Sequence, residues 1–516
     1  MSNVPPLDYA TPEEAVAGSG PPELAPQEVK DRAVTSVKSL GARTAFTLGL
    51  RLLGSLALSR LLFADDYGAF AVGTWILGIG AMLADAGLAG ALLRQERPPT
   101  VDEQFTVFVS QQILAAIMFV MVVTVGPRLA GVSHLSASEQ KIVYLLAVNL
   151  FMNSLRVIPL MTLERELKFN VIARVEFTQG FVYTGLNVFL AWCGWGAWSL
   201  AMGNVISSVF LTVGLWIAAP WKPVGKFRLD ILKRLSKFGA AFQLSAIMPG
   251  LFAGWVPILV GKIVGLTAVG YVNWAGNQAS IPLALSAILN RVAFPAYARL
   301  QGDASKLGDF VRASIRKLSA VMVLIIPIGI LACPAAIPIL FAPRWIPAIP
   351  LVQWFGFDVL IGTLLGILIA AQNATGHSAD RLWITIGAGI ADWVFGWLVI
   401  HFFGLNSVGP TVVATTLIEL WITCWLLQRH HPSLIGVMAD VFLPLFRTGA
   451  WIIGAYLVGR WLAPSNVNVQ CGLSLAIFLI LAAAYDVFTG GRGSWLELRG
   501  IWTMFRRKAA PAATAS

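Results

Sequence analysis

The chain has 516 residues, of which 57% are hydrophobic and only 12% charged, and its formal net charge is +11. A soluble domain of that composition would lack the polar surface to cover itself, so a soluble enzyme is excluded and a membrane protein is expected. The basic residues are distributed by loop rather than gathered in one domain, which argues for orientation in a membrane and against nucleic-acid binding.

Residues 1–36 carry Pro-Pro pairs, several glutamates and few large apolar groups, and read as a disordered cytoplasmic tail. No cleavable signal peptide is expected, because the first apolar run begins after this tail and many others follow. About fourteen transmembrane helices are predicted, at 42–63, 68–92, 105–126, 142–162, 171–192, 197–218, 240–261, 266–289, 318–341, 347–372, 382–403, 407–427, 441–460 and 468–488. Uncharged runs such as Gly239–Gly261 and Leu318–Pro343 reach the roughly 20 residues that a helical span needs. They are too long for barrel strands, so an all-α fold is expected. Trp192-Cys-Gly-Trp-Gly196 supplies a turn between two spans.

The second half restates the start of the first. Lys38-Ser-Leu-Gly41 and Ser236-Lys-Phe-Gly239 begin spans one and seven, and Gly68 and Gly270 follow them 202 residues apart. Six spans separate the two starts, which preserves direction, so parallel repeats about an axis along the membrane normal are expected. The resulting organisation is an N-terminal six-helix lobe (37–218), a basic cytoplasmic linker (219–235), a C-terminal six-helix lobe (236–429), appended helices 13 and 14 (430–489) and a basic cytoplasmic tail (490–516). Both termini fall on the cytoplasmic side, since the opposite loops hold only Arg60, Arg128, Lys141, Lys262, Arg344 and Arg460. Gly80, Gly87, Gly90, Gly261, Gly265 and Gly270 permit close approach or bending, and Pro249, Pro257, Pro282 and Pro327 are candidate interruptions of spans.

Charges inside spans carry the functional information. Arg51 lies about 12 Å of helix rise beyond Arg43, and an isolated lipid-facing arginine costs at least about 2.5 kcal/mol. It is therefore expected to face a cavity or to be paired. Arg156 in span four and Arg291 at the inner end of span eight are the other candidate substrate-binding cations, although Arg291 also suits a membrane anchor. The guanidinium fork donates paired, charge-assisted hydrogen bonds to phosphate. Asp85, Glu176, Asp358, Asp392 and Glu419 are candidates for proton or sodium coupling, or for structural ion pairs with these cations. No pairing follows from the sequence.

No cofactor is expected. There is no Walker-type loop, the histidines are dispersed, and Cys193, Cys333, Cys424 and Cys471 lack metal-site spacing and read as apolar filler.

Leu58-Ser-Arg60-Leu-Leu-Phe-Ala-Asp65-Asp66-Tyr67-Gly68-Ala-Phe-Ala-Val resembles the first external turn of bacterial polysaccharide flippases of the multidrug/oligosaccharidyl-lipid/polysaccharide exporter superfamily. Asp85-Ala-Gly87, Leu163-Glu-Arg165-Glu-Leu-Lys168-Phe169 and Asn290-Arg291-Val-Ala-Phe294-Pro295 add to the match, which spans most of residues 30 to 460. The resemblance implies translocation of a polyprenyl-diphosphate-linked oligosaccharide between leaflets of a bacterial cytoplasmic (inner) membrane. Implied partners are that lipid, membrane lipids and a polysaccharide polymerase or export machinery. An ion-coupled drug/cation exporter on the same scaffold, a membrane glycosyltransferase or polymerase, and a noncatalytic assembly scaffold are the alternatives. The short external loops leave little room for a catalytic cleft.

Overall fold

The computed structural model describes residues 48–93, 95, 97–283, 304–375 and 378–488. The chain divides into Met1–Leu50 and Arg51–Ser516, and the architecture below is that of the second unit. It is built from helices: α1 (51–61), α2 (Ala64–Asp85), α3 (Leu88–Leu93), α4 (Val101–Val132), α5 (Ala137–Leu155), α6 (Val157–Arg165), α7 (Phe169–Trp192) and α8 (Ala197–Ala218). The remainder comprises α9 (Leu229–Phe252), α10 (Leu266–Ala279), α11 (Ala304–Leu340), α12 (Ile349–Ala374), α13 (Ser378–Phe403), α14 (Val408–His430), α15 (Val437–Leu462) and α16 (Val467–Phe488). Each predicted span overlaps a helix wherever it is described. Eight helical stretches are long and apolar enough to cross a membrane, and the bent pair α5 and α6 makes a ninth, among the described residues. The protein is thus a multi-pass, all-helical membrane protein.

Local sequence sets several helix starts. Thr100 and Glu103 form a reciprocal cap at α4, the Thr100 N–H donating to Glu103 Oε2 (2.9 Å) and the Glu103 N–H to Thr100 Oγ1 (3.3 Å). Ser136 and Glu139 do the same at α5. Each box satisfies two backbone donors that a helix start leaves orphaned.

Three predicted spans are interrupted. Span two breaks between α2 and α3, where Ala86 (φ 48°) and Gly87 (φ 68°) are both left-handed. Span four bends by 41° at Arg156, between α5 and α6. Span seven gives way to a π-helical turn at Val256–Val260 that contains Pro257, consistent with a residue that cannot donate to the preceding turn. Pro327, expected as an interruption, instead lies within the continuous α11 together with Pro334 and Pro338.

The helices converge on the crossing of α2 and α10. Gly68 lies so close to the Leu266 carbonyl that a Cβ could not fit, and Gly270 lies closer still to the Ala64 carbonyl. Ala64 and Leu266, like Gly68 and Gly270, are 202 residues apart, so the two contacts are mates across a local two-fold. Asp65 and Thr267 are also 202 apart, and they meet each other on that two-fold, the Thr267 hydroxyl donating to the Asp65 carboxylate. The crossing is therefore a self-complementary contact.

Beside this crossing Ser59 is fully buried and joins four groups. Its hydroxyl donates to Ser55 O (2.6 Å) and accepts from Trp274 Nε1 (2.7 Å), and its carbonyl accepts from Trp345 Nε1 (2.8 Å). Tyr67 also hydrogen-bonds to Ser59. Trp274 and Trp345 stack at 4.3 Å between ring centres, and Tyr67, Tyr271 and Phe341 meet them edge-on. Arginines fasten the rim. Arg60 donates to Leu340 O and Ile339 O, the orphaned carbonyls at the end of α11, and Arg344 donates to Leu62 O while lying over the Phe63 ring. Asp66 accepts from the Phe63 N–H (2.8 Å) and from the Ala197 backbone, capping α2 and α8 together.

At the other end, buried Glu103 pairs with Arg97 and with Arg234 of α9. The linker is pinned to α4 by Lys226 N donating to Asp102 Oδ1 (2.9 Å) and Arg228 N to Thr106 Oγ1 (3.1 Å). Leu88, Leu92, Val107, Ile158, Ile231 and Leu235 fill the space between α9 and the helices that precede it.

Gly270→Ala should lower the midpoint of thermal unfolding in detergent, by the ~1–3 kcal/mol typical of overpacking. Gly276→Ala on the same helix, where nothing lies within 4 Å, should leave it unchanged. Glu103→Gln should destabilise by ~1–2 kcal/mol, since it weakens charge-assisted hydrogen bonds to arginines that are themselves about half exposed, and should speed tryptic cleavage at Lys226. Arg234→Gln should have a smaller effect in both assays, because Arg97 still pairs with Glu103.

Candidate functional site

The interruptions of spans two and four face one another across a cavity of about 380 Å³, lined by Met82, Asp85, Gln111, Asn153, Ser154 and Arg156 together with apolar groups of α2, α5 and α6. The volume lies in the range of small-molecule pockets. Both breaks leave backbone groups outside the regular helical ladder, which membrane proteins tolerate where the chain lines a cavity. Asp85 ends α2 at the left-handed pair, accepts a hydrogen bond from the Gly87 backbone and is exposed to this space. Left-handed backbone at Ala86, a residue with a Cβ, is a strained arrangement of the kind found at functional sites.

Gln111 fixes the acid. Its Nε2 donates to Asp85 Oδ1 (3.1 Å) and contacts Asp85 O (3.4 Å). Its Oε1 is buried with no hydrogen-bond partner. On the same wall Ser154 Oγ donates to Gln112 Oε1 (3.1 Å) and Phe151 O (3.0 Å). Arg156 stands at the bend itself, within electrostatic reach of Glu176 on α7. The structure thus brings two sequence candidates, Arg156 and Asp85, onto one cavity, with Glu176 near enough to act on Arg156.

Arg51 is not among the residues lining that cavity. It is exposed on α1, its charge acts on Tyr183 of α7, and Gly54 one turn later packs against Thr184. Arg291 lies outside the described residues.

Three other acids gather on α12, α13 and α14. Asp358 Oδ1 accepts from the Thr416 hydroxyl (2.7 Å), Glu419 pairs with Arg381, and Asp392 interacts with Thr415 while its Oδ1 is buried without a partner. Each of Asp358 and Asp392 feels the charge of Glu419. A second cavity of about 390 Å³ between α13 and α14 is lined by Asp380, Thr415 and Glu419 with a mostly apolar remainder. His430 pairs with Asp380 at 3.0 Å. No three histidine, cysteine or carboxylate side chains among the described residues converge as a metal site would require.

Several of these residues were not singled out from sequence. Gln111 and Gln112 were the most legible, as two amides inside an otherwise apolar run. Ser59, Trp274 and Trp345 gave no signal, because serine and tryptophan are ordinary in spans. Arg165, part of the Leu163-Glu-Arg165 motif, donates to the carbonyls of Leu92, Leu93, Gln95 and Arg97 and so ties the end of α3 to α6.

Residues 57–350, more than half of the chain, match a family described as polysaccharide biosynthesis protein. The chain belongs to this polysaccharide biosynthesis family. Curated relatives agree in length as well as sequence. The chain is 24% identical over 436 residues to the teichuronic acid biosynthesis protein TuaB of Bacillus subtilis, covering 79% of this chain and 84% of that one. It is 24% identical over 402 residues to the succinoglycan biosynthesis transport protein ExoT of Rhizobium meliloti, covering 77% of each. The lipopolysaccharide biosynthesis protein WzxC of Escherichia coli matches at 24% over 368 residues, 67% of this chain and 71% of that one. Among solved structures, the lipid II flippase MurJ in an inward closed conformation aligns with a TM-score of 0.70 at 10% identity, covering 87% of this chain and 99% of that one. An inward-facing multidrug resistance MATE family transporter of the MOP superfamily aligns with a TM-score of 0.60 at 16% identity, covering 75% of this chain and 94% of the other. At these identities the likeness to solved structures is one of fold.

Proposed function

We propose that this protein carries a polyprenyl-diphosphate-linked oligosaccharide from the inner to the outer leaflet of a bacterial cytoplasmic membrane, by alternating access, for extracellular polysaccharide biosynthesis. The observation that carries this reading is the cavity at the Arg156 bend, where a guanidinium and hydrogen-bonding amides stand inside interrupted spans of a polysaccharide-family chain. Arginine can donate two parallel charge-assisted bonds to a phosphate, while the sugars meet the amides and the lipid tail stays in the bilayer. The curated relatives, described in terms of polysaccharide biosynthesis and, for ExoT, transport, support a transporter rather than an enzyme.

In this reading fourteen spans form two six-helix lobes, 37–218 and 236–429, with 430–489 appended and both termini cytoplasmic. The two-fold contact of α2 with α10 and the distribution of basic loops support that arrangement. The Ser59 seam is then extracellular, and its separation opens the outward path. Arg51 is a second cationic contact on the route, and Arg291 a third. The acids Asp358, Asp392 and Glu419 are the coupling site for a proton or sodium ion, with Glu176 a structural partner of Arg156. A polysaccharide polymerase or export machinery takes the product.

In proteoliposomes, leaflet-resolved movement of a polyprenyl-diphosphate oligosaccharide should be present in the wild type and fall at least tenfold in Arg156→Gln. Efflux of small organic cations without movement of the lipid-linked sugar would instead identify a cation exporter. Asp65→Cys with Thr267→Cys, in a background lacking the native cysteines, should be arrested by a short bifunctional thiol cross-linker if the seam must part; unchanged transport in the cross-linked protein would refute that gate. Asp392→Asn should abolish any dependence of transport on an imposed proton or sodium gradient while leaving substrate binding intact.

A further inference from the structure

We infer that the basic linker and the first turns of α9 form a docking surface for anionic phospholipid headgroups of the cytoplasmic leaflet. Lys222, Lys226 and Lys233 meet the phosphates, while Val224, Phe227 and Leu229 enter the edge of the bilayer. The inference uses the cytoplasmic placement of the linker in the proposed topology and is independent of the cargo.

The chain between α8 and α9 has no helix of its own, yet it is held in place. Asp102 Oδ1 accepts from Lys226 N (2.9 Å), and the Thr106 hydroxyl accepts from Arg228 N (3.1 Å). Gly225, at φ 152°, lies against Phe105 and the Val101 carbonyl, where a Cβ would not fit. Trp221 packs on Phe108 with ring centres 5.1 Å apart. One side of the linker is thus committed to the first turns of α4. The same contacts set its depth. The uncharged run of α4 starts at Phe105 and that leading into span seven starts at Phe238, so the linker lies where these helices leave the hydrocarbon.

The other side of the linker combines two kinds of group. Val224, Phe227 and Leu229 are 62%, 43% and 56% exposed. Interleaved with them are Lys222, Lys226 and Lys233, all exposed. Arg228 is engaged by Asp230 (2.9 Å) and Arg234 by Glu103, whereas the three lysines form no ion pair among the described residues. The spare charge is therefore positive. Along α9 the side chains divide by face: Ile231 and Leu235 are buried against earlier helices, while Leu229 and Lys233, four apart, are exposed together. Cationic heads on long apolar stems beside outward apolar side chains are the pattern of a segment lying in a membrane interface.

Charge and spacing select the occupant. Phospholipids with net negative headgroups offer phosphates in a two-dimensional array, each beside apolar chains. The lysines are spread from position 222 to position 233 instead of converging, which suits several headgroups. A single diphosphate is better matched by forked donors gathered at one point. Zwitterionic headgroups supply the apolar edge without the net attraction. An acidic soluble partner would have to displace lipid from side chains that sit at the bilayer edge.

The test uses the full-length protein in lipid nanodiscs, with the four native cysteines replaced by alanine and a bimane fluorophore on Val224→Cys. Half-maximal quenching should need an about fivefold smaller share of tail-brominated phosphatidylglycerol than of tail-brominated phosphatidylcholine, the scale of one lysine at an anionic surface. That preference should shrink as salt rises. Lys222→Gln, Lys226→Gln and Lys233→Gln together should abolish it, whereas arginine at the same three positions should keep it, because net charge is what is read. Equal shares of the two lipids with the native lysines, or a preference that survives the triple glutamine replacement, would overturn the inference. Quenching by soluble iodide and by neither lipid would also overturn it, leaving the surface to an acidic soluble partner. Movement of the lipid-linked sugar is read in a separate assay, so the transport reading can fail while the lipid preference stands, and the reverse.

Discussion

Two helices reach backbone contact only where no side chain stands between them, and the α2–α10 crossing sets a glycine of each helix against a backbone carbonyl of the other. Gly68 faces the Leu266 carbonyl and Gly270 the Ala64 carbonyl. Lipid offers no hydrophobic gain for bringing helices together, so close van der Waals contact and internal hydrogen bonds must hold them. The crossing supplies the first, and Ser59 with its tryptophan donors supplies the second. Once these are set, the turns after α4 and α11 have fixed places. Ser133 Oγ donates to Pro257 O (2.5 Å) beside Gly261, just as Trp345 Nε1 donates to the carbonyl of Ser59, the residue 202 positions before Gly261. The repeat is chemically unequal there: a small, tight contact on one side answers a stack of aromatic rings on the other.

Interruption of helices is how this protein presents polar groups at membrane depth. A continuous helix satisfies its own backbone and offers lipid an apolar surface. The left-handed pair Ala86–Gly87, the bend at Arg156 and the π-turn at Val256–Val260 each suspend that rule. The first two form the cavity wall that carries Asp85 and Arg156. The third follows the end of α9, which packs on α13 where Trp393 Nε1 donates to Phe252 O, and leads into α10.

Much of the fold could be read directly. Long uncharged runs located the helices, because hydrocarbon thickness dictates their length, and Ala197–Ala218 coincides with its predicted span. The repeat offset of 202 was readable at Gly68 and Gly270, but its meaning was not, since sequence similarity carries no direction of approach. Asp65, Asp66 and Tyr67 were recognisable as a motif, while their separate tasks at Thr267, at two helix starts and at Trp345 depend on residues far along the chain. The cavity was half legible. Arg156 and Asp85 stood out as charges in apolar runs, whereas Gln111 became informative only through the partner it has and the one it lacks. Arg51, equally conspicuous, is not part of that wall, because depth in a span does not fix the direction in which a helix faces.

The Asp65–Thr267 contact has a bearing on how a repeated chain can diverge. Positions on a two-fold meet their own counterparts, as residues on the axis of a symmetric homodimer do. With identical halves, aspartate there would oppose aspartate, and two like charges in close contact would push the halves apart. Glycine opposite a backbone carbonyl carries no such conflict and is compatible with perfect symmetry. An acid at position 65 therefore calls for a partner of different chemistry at position 267, and the Thr267 hydroxyl is that partner.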